Sequence, residues 1–124
     1  MHGIRALEQL FQTKCWQVHV PEGWTALAHS PEMATLYSPK GIGLLEFIQS
    51  EEPYEGAGSE RFGELHGEYL GKKVHRGIYR RFWQLSCMGK KLSVSYNCSA
   101  EHAELEHAVV DEVLRSLEQH SETA

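Results

Sequence analysis

The sequence has 124 residues, a length typical of one domain, and it holds no apolar run of the roughly 18 residues that a membrane span needs. The formal net charge is −5, and an acidic balance disfavours a nucleic-acid-binding protein. Three cysteines cannot all pair within one chain, and the start of the sequence shows no signal-peptide pattern. We therefore expect free thiols and a cytoplasmic location.

The first predicted element is an amphipathic helix within residues 1–13, because Ile4, Leu7 and Phe11 fall on one helical face. The period of the apolar residues then changes to two, which predicts strands at 16–20, 24–28, 34–38 and 43–49. Residues 21–23 and 38–41 contain proline and glycine and are expected to form turns.

The second half of the chain predicts a loop at 50–58 and then a helix at 59–71, with Phe62, Leu65 and Tyr69 on one face. Strand follows over residues 74–98, with one clear reversal, and a long helix covers 100–118 before a frayed tail at 119–124. The expected fold is a single α+β domain over 1–124. Its mainly antiparallel, twisted sheet of about six strands is flanked by the N-terminal, middle and C-terminal helices.

The reversal within 74–98 is assigned to a hairpin whose central turn residues are Gly89 and Lys90. In that register Trp83 faces Tyr96, and Cys87 faces Leu92. These apolar side chains share one face of the ribbon and the polar side chains share the other. Cys87 and Cys98 then lie too far apart for a disulfide or a shared metal ion, so we expect them to be small buried apolar residues.

No sequence motif for catalysis stands out. The eight histidines show no HxH or HExxH spacing, and the chain lacks a G-x-S-x-G elbow and a glycine-rich phosphate loop. Cys15 and His19 are four residues apart on one strand, which separates them by about 13 Å. The sequence therefore predicts no catalytic residue, no metal ligand and no cofactor.

Charge is strongly segregated along the chain. Residues 71–100 hold seven of the 12 Lys and Arg and no Asp or Glu, so all 17 acidic residues lie elsewhere. A basic sheet face rich in hydroxyl groups could receive an acidic protein, although the N-terminal helix covering that face is an equal alternative. The candidate partner-binding residues are Arg80, Arg81, Phe82, Gln84, Ser86, Lys91, Ser93, Ser95 and Asn97.

Three stretches of the sequence resemble a known group. They are WQVHVPEGW at 16–24, TLYSPKGIGLLEF at 35–47, and FWQLSCMGKKLSVSYNCS at 82–99, the last followed by a helix that ends VLRSLE at 113–118. Together they resemble the PsbP/DcrB-like superfamily, which includes a nuclear-transport factor that acts on Ran and adaptor chaperones of type VI effectors. The resemblance implies a twisted antiparallel sheet between helices, an α/β/α sandwich. It implies no shared catalytic residues, since members are mostly binding proteins.

These observations favour a non-enzymatic bacterial protein that acts by protein–protein contact. The expected role is an adaptor chaperone or an immunity-type protein for a secreted effector. The expected partner is another protein with an acidic surface, or a second copy of the chain as a homodimer, and neither a membrane nor a nucleic acid is expected. The alternative is a small cysteine- or metal-dependent hydrolase, which a reactive Cys15 would favour.

Overall fold

The computed structural model describes residues 9–119, which form ten strands, one α-helix and a short 3-10 turn. The helix α1 spans His107–Arg115 and the 3-10 turn spans Ala100–His102. The strands are β1 Gln9–Gln12, β2 Trp16–Val20, β3 Thr25–Ser30, β4 Met33–Tyr37, β5 Gly43–Pro53, β6 Glu60–Phe62, β7 Leu65–His75, β8 Ile78–Cys87, β9 Lys90–Ser99 and β10 Glu118–Gln119.

The strands build two antiparallel sheets. The small sheet has the order β1-β2-β10, and the large sheet has seven strands in the order β3-β4-β5-β9-β8-β7-β6. Most neighbours in the large sheet follow each other in the chain, because tight turns join them. No helix within residues 9–119 combines the length and the apolar character needed to cross a bilayer.

The core lies between one face of the large sheet and a layer made by β2 and α1. Trp16 of β2 stacks on Phe47 of β5 with 4.6 Å between the ring centroids. The helix buries Val110, Val113 and Leu114 in the same cluster. Every buried apolar side chain of the large sheet lies on this face. We call the opposite face, which contributes none of that core, the open face.

The hairpin between β8 and β9 is shifted by two residues from the predicted register. Cys87 pairs with Lys90, Leu85 with Leu92 and Trp83 with Val94. The turn residues are Met88 and Gly89, both with positive φ (55° and 81°), as a type I′ turn requires. A shift of two residues conserves the alternation of faces, so the predicted separation into an apolar and a polar face is confirmed.

The predicted sandwich with three flanking helices is wrong, because the chain is mostly strand. Residues 9–12, placed in an N-terminal helix, form strand β1, which pairs with β2. Residues 1–8 of that predicted helix lie outside the described residues, as does 120–124 of the predicted tail. Instead of about six strands in one sheet, ten strands form two sheets.

The predicted middle helix is replaced by strands β6 and β7. Gly63 has a φ of +65° at the turn between them, and a Cβ there would lie 2.1 Å from the carbonyl oxygen of Leu117. A Cβ on Gly67 would lie 2.3 Å from the carbonyl oxygen of Gln84 on β8. The two glycines, which would weaken a helix, are needed here for a tight turn and for close packing of backbones.

The C-terminal helix is also shorter than expected, because α1 begins only at His107. Glu106, just before it, is buried and accepts a hydrogen bond of 2.6 Å from the hydroxyl of Tyr96. Leu105, which falls within the predicted helix, is 66% exposed. After α1 the chain turns, and Glu118–Gln119 pairs with β2 instead of continuing the helix or fraying.

Candidate functional site

The open face carries eight of the nine candidate partner-binding residues. They form four directly opposed pairs between strands β8 and β9. Three pairs place a serine opposite an aromatic, an amide or a cation, and the fourth places a cation opposite an amide. The pairs are Arg80 with Asn97, Phe82 with Ser95, Gln84 with Ser93, and Ser86 with Lys91. Seven of the eight side chains are half-buried and Arg80 is exposed. The structure therefore brings these residues together on one continuous surface.

Arg81, the ninth candidate, lies on the other face, so its assignment to the partner-binding surface is wrong. Its side chain is 8% exposed and donates to Oδ1 of Asp111 on α1 at 3.1 Å. The guanidinium carbon lies 4.6 Å from the ring centroid of Trp83 and 5.2 Å from that of Tyr69. Arg81 therefore holds the helix against the sheet. Strand alternation predicts this face, because Arg81 lies two residues before the buried Trp83.

On the side of β3, β4 and β5 the open face exposes three apolar side chains, Leu27, Leu44 and Ile48, each by about two fifths of its surface. Glu46 lies on the same face between Leu44 and Ile48, opposite Ser95. Leu44 stands opposite Asn97, and Ile48 stands opposite Ser93, so the apolar side chains border the hydroxyl-rich centre. Sequence reasoning missed this flank because the candidate partner-binding residues were sought only within residues 80–97.

The seven cations of residues 71–100 separate into paired and unpaired groups. Lys90 and Lys91 form ion pairs with Glu51 and Glu52 of β5, at 2.5 and 2.9 Å. These two contacts lower the pKa of each glutamate, chiefly through the hydrogen bond from the lysine. Arg81 pairs with Asp111. The remaining four have no ion-pair partner among residues 9–119, and they are Lys72, Lys73, Arg76 and Arg80.

The four unpaired cations cluster at the end of the β7–β8 hairpin, which we call the basic tip (residues 70–80). Its two-residue turn is Arg76-Gly77, and both residues have positive φ. Three apolar side chains of the tip are exposed to solvent: Leu70 by 58%, Val74 by 64% and Ile78 by 40%. Exposed apolar groups beside unpaired charges of one sign are typical of a surface that meets a partner.

A depression on the basic tip joins it to the centre of the open face. It is lined by Lys73, Val74, His75, Ile78, Arg80 and Phe82. Phe82 stands opposite Ser95, so the depression borders the hydroxyl-rich pairs. A second depression, at the same end of the sheet, is lined by Tyr37, Gly41, Ile42, Gly43, Leu44 and Asn97. The two depressions and the pairs between them make one continuous candidate surface.

The cysteines do not form an obvious catalytic site. Cys87 and Cys98 are buried, free thiols, which confirms the prediction that the hairpin cysteines are unpaired apolar residues. Burial raises the pKa of Cys87 to about 12, and burial also raises the pKa of Cys98, which disfavours the reactive thiolate. The Cys87 Sγ donates to the carbonyl oxygen of Cys15 at 3.1 Å. Within residues 9–119, no three His, Cys, Asp or Glu side chains converge as metal ligands would.

Comparison with solved structures gives the chain a PsbP-like fold. It is similar to the cyanobacterial PsbP protein (CyanoP) of Synechocystis sp. PCC 6803, with a TM-score of 0.51, 15% identity and 97% of each chain covered. It is also similar to a protein of Bacteroides thetaiotaomicron, with a TM-score of 0.58 and 14% identity. That match covers 86% of this chain but 46% of the Bacteroides chain, so this chain spans about half of its length.

Sequence comparison adds no family to this result. No family model matches the chain, and no curated protein matches it. At 14–15% identity the two structures establish the fold and carry no information about the ligand of this chain.

Proposed function

We propose that this chain is a non-catalytic protein-binding module whose partner sits on the open face and the basic tip. The observation that carries the proposal is the continuity of that surface. An apolar flank around Glu46, a centre of small hydroxyls and amides, and the unpaired cations Lys73 and Arg80 follow one another across the open face. The mixture of apolar contact area and polar groups is typical of protein interfaces.

An acidic partner fits this surface best. Lys73 and Arg80 stand directly opposite each other on β7 and β8, and both belong to the depression at the tip. The neighbouring like charges repel each other slightly in the free protein, and an acidic partner would relieve that repulsion. Charge complementarity of this kind speeds and orients the encounter more than it tightens the complex.

Within this class we propose the role of an adaptor chaperone or an immunity-type protein for a secreted bacterial effector, acting in the cytoplasm. The sequence resemblance to the PsbP/DcrB-like superfamily, with its type VI adaptor chaperones, supports this role, and the PsbP-like fold is compatible with it. The three free cysteines support a reducing compartment. The raised pKa of Cys87 and Cys98 disfavours these two thiols as nucleophiles, so the alternative of a cysteine hydrolase rests on the half-buried Cys15.

The test is charge reversal at the tip. Arg81 is unsuitable for it because its side chain is buried. The variant Lys73→Glu with Arg80→Glu places both changes on the open face, and Lys14→Glu with Arg115→Glu makes the same change in charge on exposed residues outside it. The partner is first captured from the native host and identified, and association rates are then measured with the purified pair.

We expect the open-face variant to associate at least about tenfold more slowly at low salt, and the difference to shrink as salt screens the charges. The control variant should associate at nearly the native rate. Equal rates for the two variants at low salt would contradict the proposal.

A further inference from the structure

One edge of the large sheet is left unpaired at the basic tip. Strand β6 is three residues long and pairs only with residues 65–67 of β7. The next outward amide, that of Tyr69, donates to the carboxylate of Glu60 at 2.8 Å. Beyond this point, residues 71–75 of β7 pair with β8 on one side and with no other strand among residues 9–119.

The register identifies which backbone groups point outward along this free edge. In a hairpin with a two-residue turn, the pair next to the turn, here His75 and Ile78, exchanges hydrogen bonds, and every second pair does the same. Residues 71, 73 and 75 therefore bond to β8. The N–H and C=O groups of Lys72 and Val74 point away from β8, and no hydrogen bond to them occurs within residues 9–119.

We propose that residues 71–75 receive an extended acidic segment of the partner protein as an added strand next to β7. This inference rests on the proposed function and names the chemistry of the partner segment. The outward backbone groups of Lys72 and Val74 would bond to the added strand. Lys73, on the open face of β7, would face its carboxylates, and the side chain of Val74, which is 64% exposed on the other face, would pack on an apolar neighbour.

The charges at the edge explain why the occupant is acidic. Lysines on a free edge discourage pairing with a second copy of this edge, because each copy would bring the same cations. Lys73 favours a strand that carries Asp or Glu at alternate positions, because alternate residues share the face on which Lys73 lies. The expected segment is thus short and extended, with carboxylates interleaved with β-branched residues.

A membrane surface is a weaker candidate occupant, although anionic lipid also attracts basic, apolar hairpins. Insertion into lipid would leave the outward N–H and C=O groups of Lys72 and Val74 without partners, which is costly in an apolar medium. An added peptide strand satisfies the same groups.

The test uses a proline at a position where it blocks the edge and spares the sheet. The amide of Val74 makes no bond to β8, so Val74→Pro is compatible with the β7–β8 pairing and removes an outward donor. Val74→Thr is the matched control, because it keeps the amide and the β-branched shape. The probe is a blocked eight-residue peptide that alternates glutamate with valine, and its lysine analogue serves as the charge control.

We expect the native protein and Val74→Thr to bind the acidic peptide with similar affinity, and Val74→Pro to bind it at least about tenfold more weakly. The lysine peptide should not bind. If Val74→Pro does not fold, the acidic peptide with N-methyl groups at every residue, which blocks both of its edges, replaces it, and that peptide should lose binding to the native protein.

Other outcomes overturn the inference and separate it from the proposed function. Undiminished binding of the acidic peptide to folded Val74→Pro, or of the N-methylated peptide to the native protein, would exclude strand addition. The acidic peptide could fail to bind while Lys73→Glu with Arg80→Glu still slows association with the native partner. That result would overturn strand addition and leave the proposed function in place. Binding to phosphatidylserine vesicles without binding to the peptide would replace the acidic segment with a membrane surface.

Discussion

Arg81 on β8 and Asp111 on α1 form the ion pair that ties the large sheet to the helix, with 3.1 Å between Nη2 and Oδ1. The guanidinium packs over the adjacent rings of Tyr69 and Trp83, whereas Asp111 keeps 45% of its side-chain surface in solvent. The arginine therefore contributes both packing and charge, and its neighbour Arg80 on the open face contributes neither to the core.

Arg81→Ala should reduce the free energy of unfolding by about 2–3 kcal/mol, because it removes the packing on two rings and the bond to Asp111. Arg80→Ala is the control and should change that free energy by no more than about 0.5 kcal/mol, since its side chain is exposed. Urea unfolding of the two variants measures the difference. Equal losses would contradict the assignment of the two arginines to opposite faces.

Gly67→Ala should lower stability by about 2 kcal/mol. The new Cβ would lie 2.3 Å from the carbonyl oxygen of Gln84, so the two strands would have to separate. In the helix that the apolar spacing of 59–71 predicts, the same substitution would raise stability by about 1 kcal/mol. The sign of the change in the free energy of unfolding, measured with urea, decides between the strand and the helix. Stabilisation by Gly67→Ala would contradict the pairing of β7 with β8.

The error over residues 59–71 has a physical explanation. Phe62, Leu65 and Tyr69 satisfy a helical spacing, and a short segment with three apolar residues cannot distinguish a helix from two strands joined by a turn. The decisive contacts are nonlocal. A side chain at Gly67 would collide with the backbone of Gln84, and one at Gly63 would collide with the backbone of Leu117. Two glycines within one predicted helix were the available signal against it.

The strands that were predicted well share a clear alternation of apolar and polar residues. Trp16–Val20 is predicted with its exact bounds. The prediction of which residues share the polar face of the β8–β9 hairpin is also correct, although the register is shifted by two residues. The free edge and the basic tip could not be predicted, because they depend on where β6 ends and on which lysines find a glutamate on β5. The charge segregation of residues 71–100 was the only local signal for them.

The stability of the protein should fall as the pH rises above about 9, partly because of Cys87. Below pH 9 the thiol keeps its proton in both the folded and the unfolded states. Between pH 9 and the folded-state pKa of about 12, the unfolded thiol ionises while the buried one does not. The unfolded state then binds fewer protons, so the free energy of unfolding decreases by about 1.4 kcal/mol per pH unit for this one group.

Cys87→Ala removes this titration and should give a shallower decrease in stability with pH. Urea unfolding at steps of about one unit from pH 8 to 11 compares the two proteins, and tyrosines that ionise in the same range affect both alike. Parallel curves for the native protein and Cys87→Ala would show that the thiol of Cys87 is not protected by burial.

Amide hydrogen exchange along β7 is the most direct measurement of the central claim, which is that this chain binds an acidic partner at the free edge of its sheet. In the free protein, the amides of Lys72 and Val74 should exchange quickly, and that of Lys73, which bonds to β8, should exchange slowly. Addition of the acidic peptide should slow Lys72 and Val74 at least about tenfold and leave Lys73 almost unchanged. Slow exchange at Val74 before the peptide is added, or no slowing after saturation with it, would contradict the account.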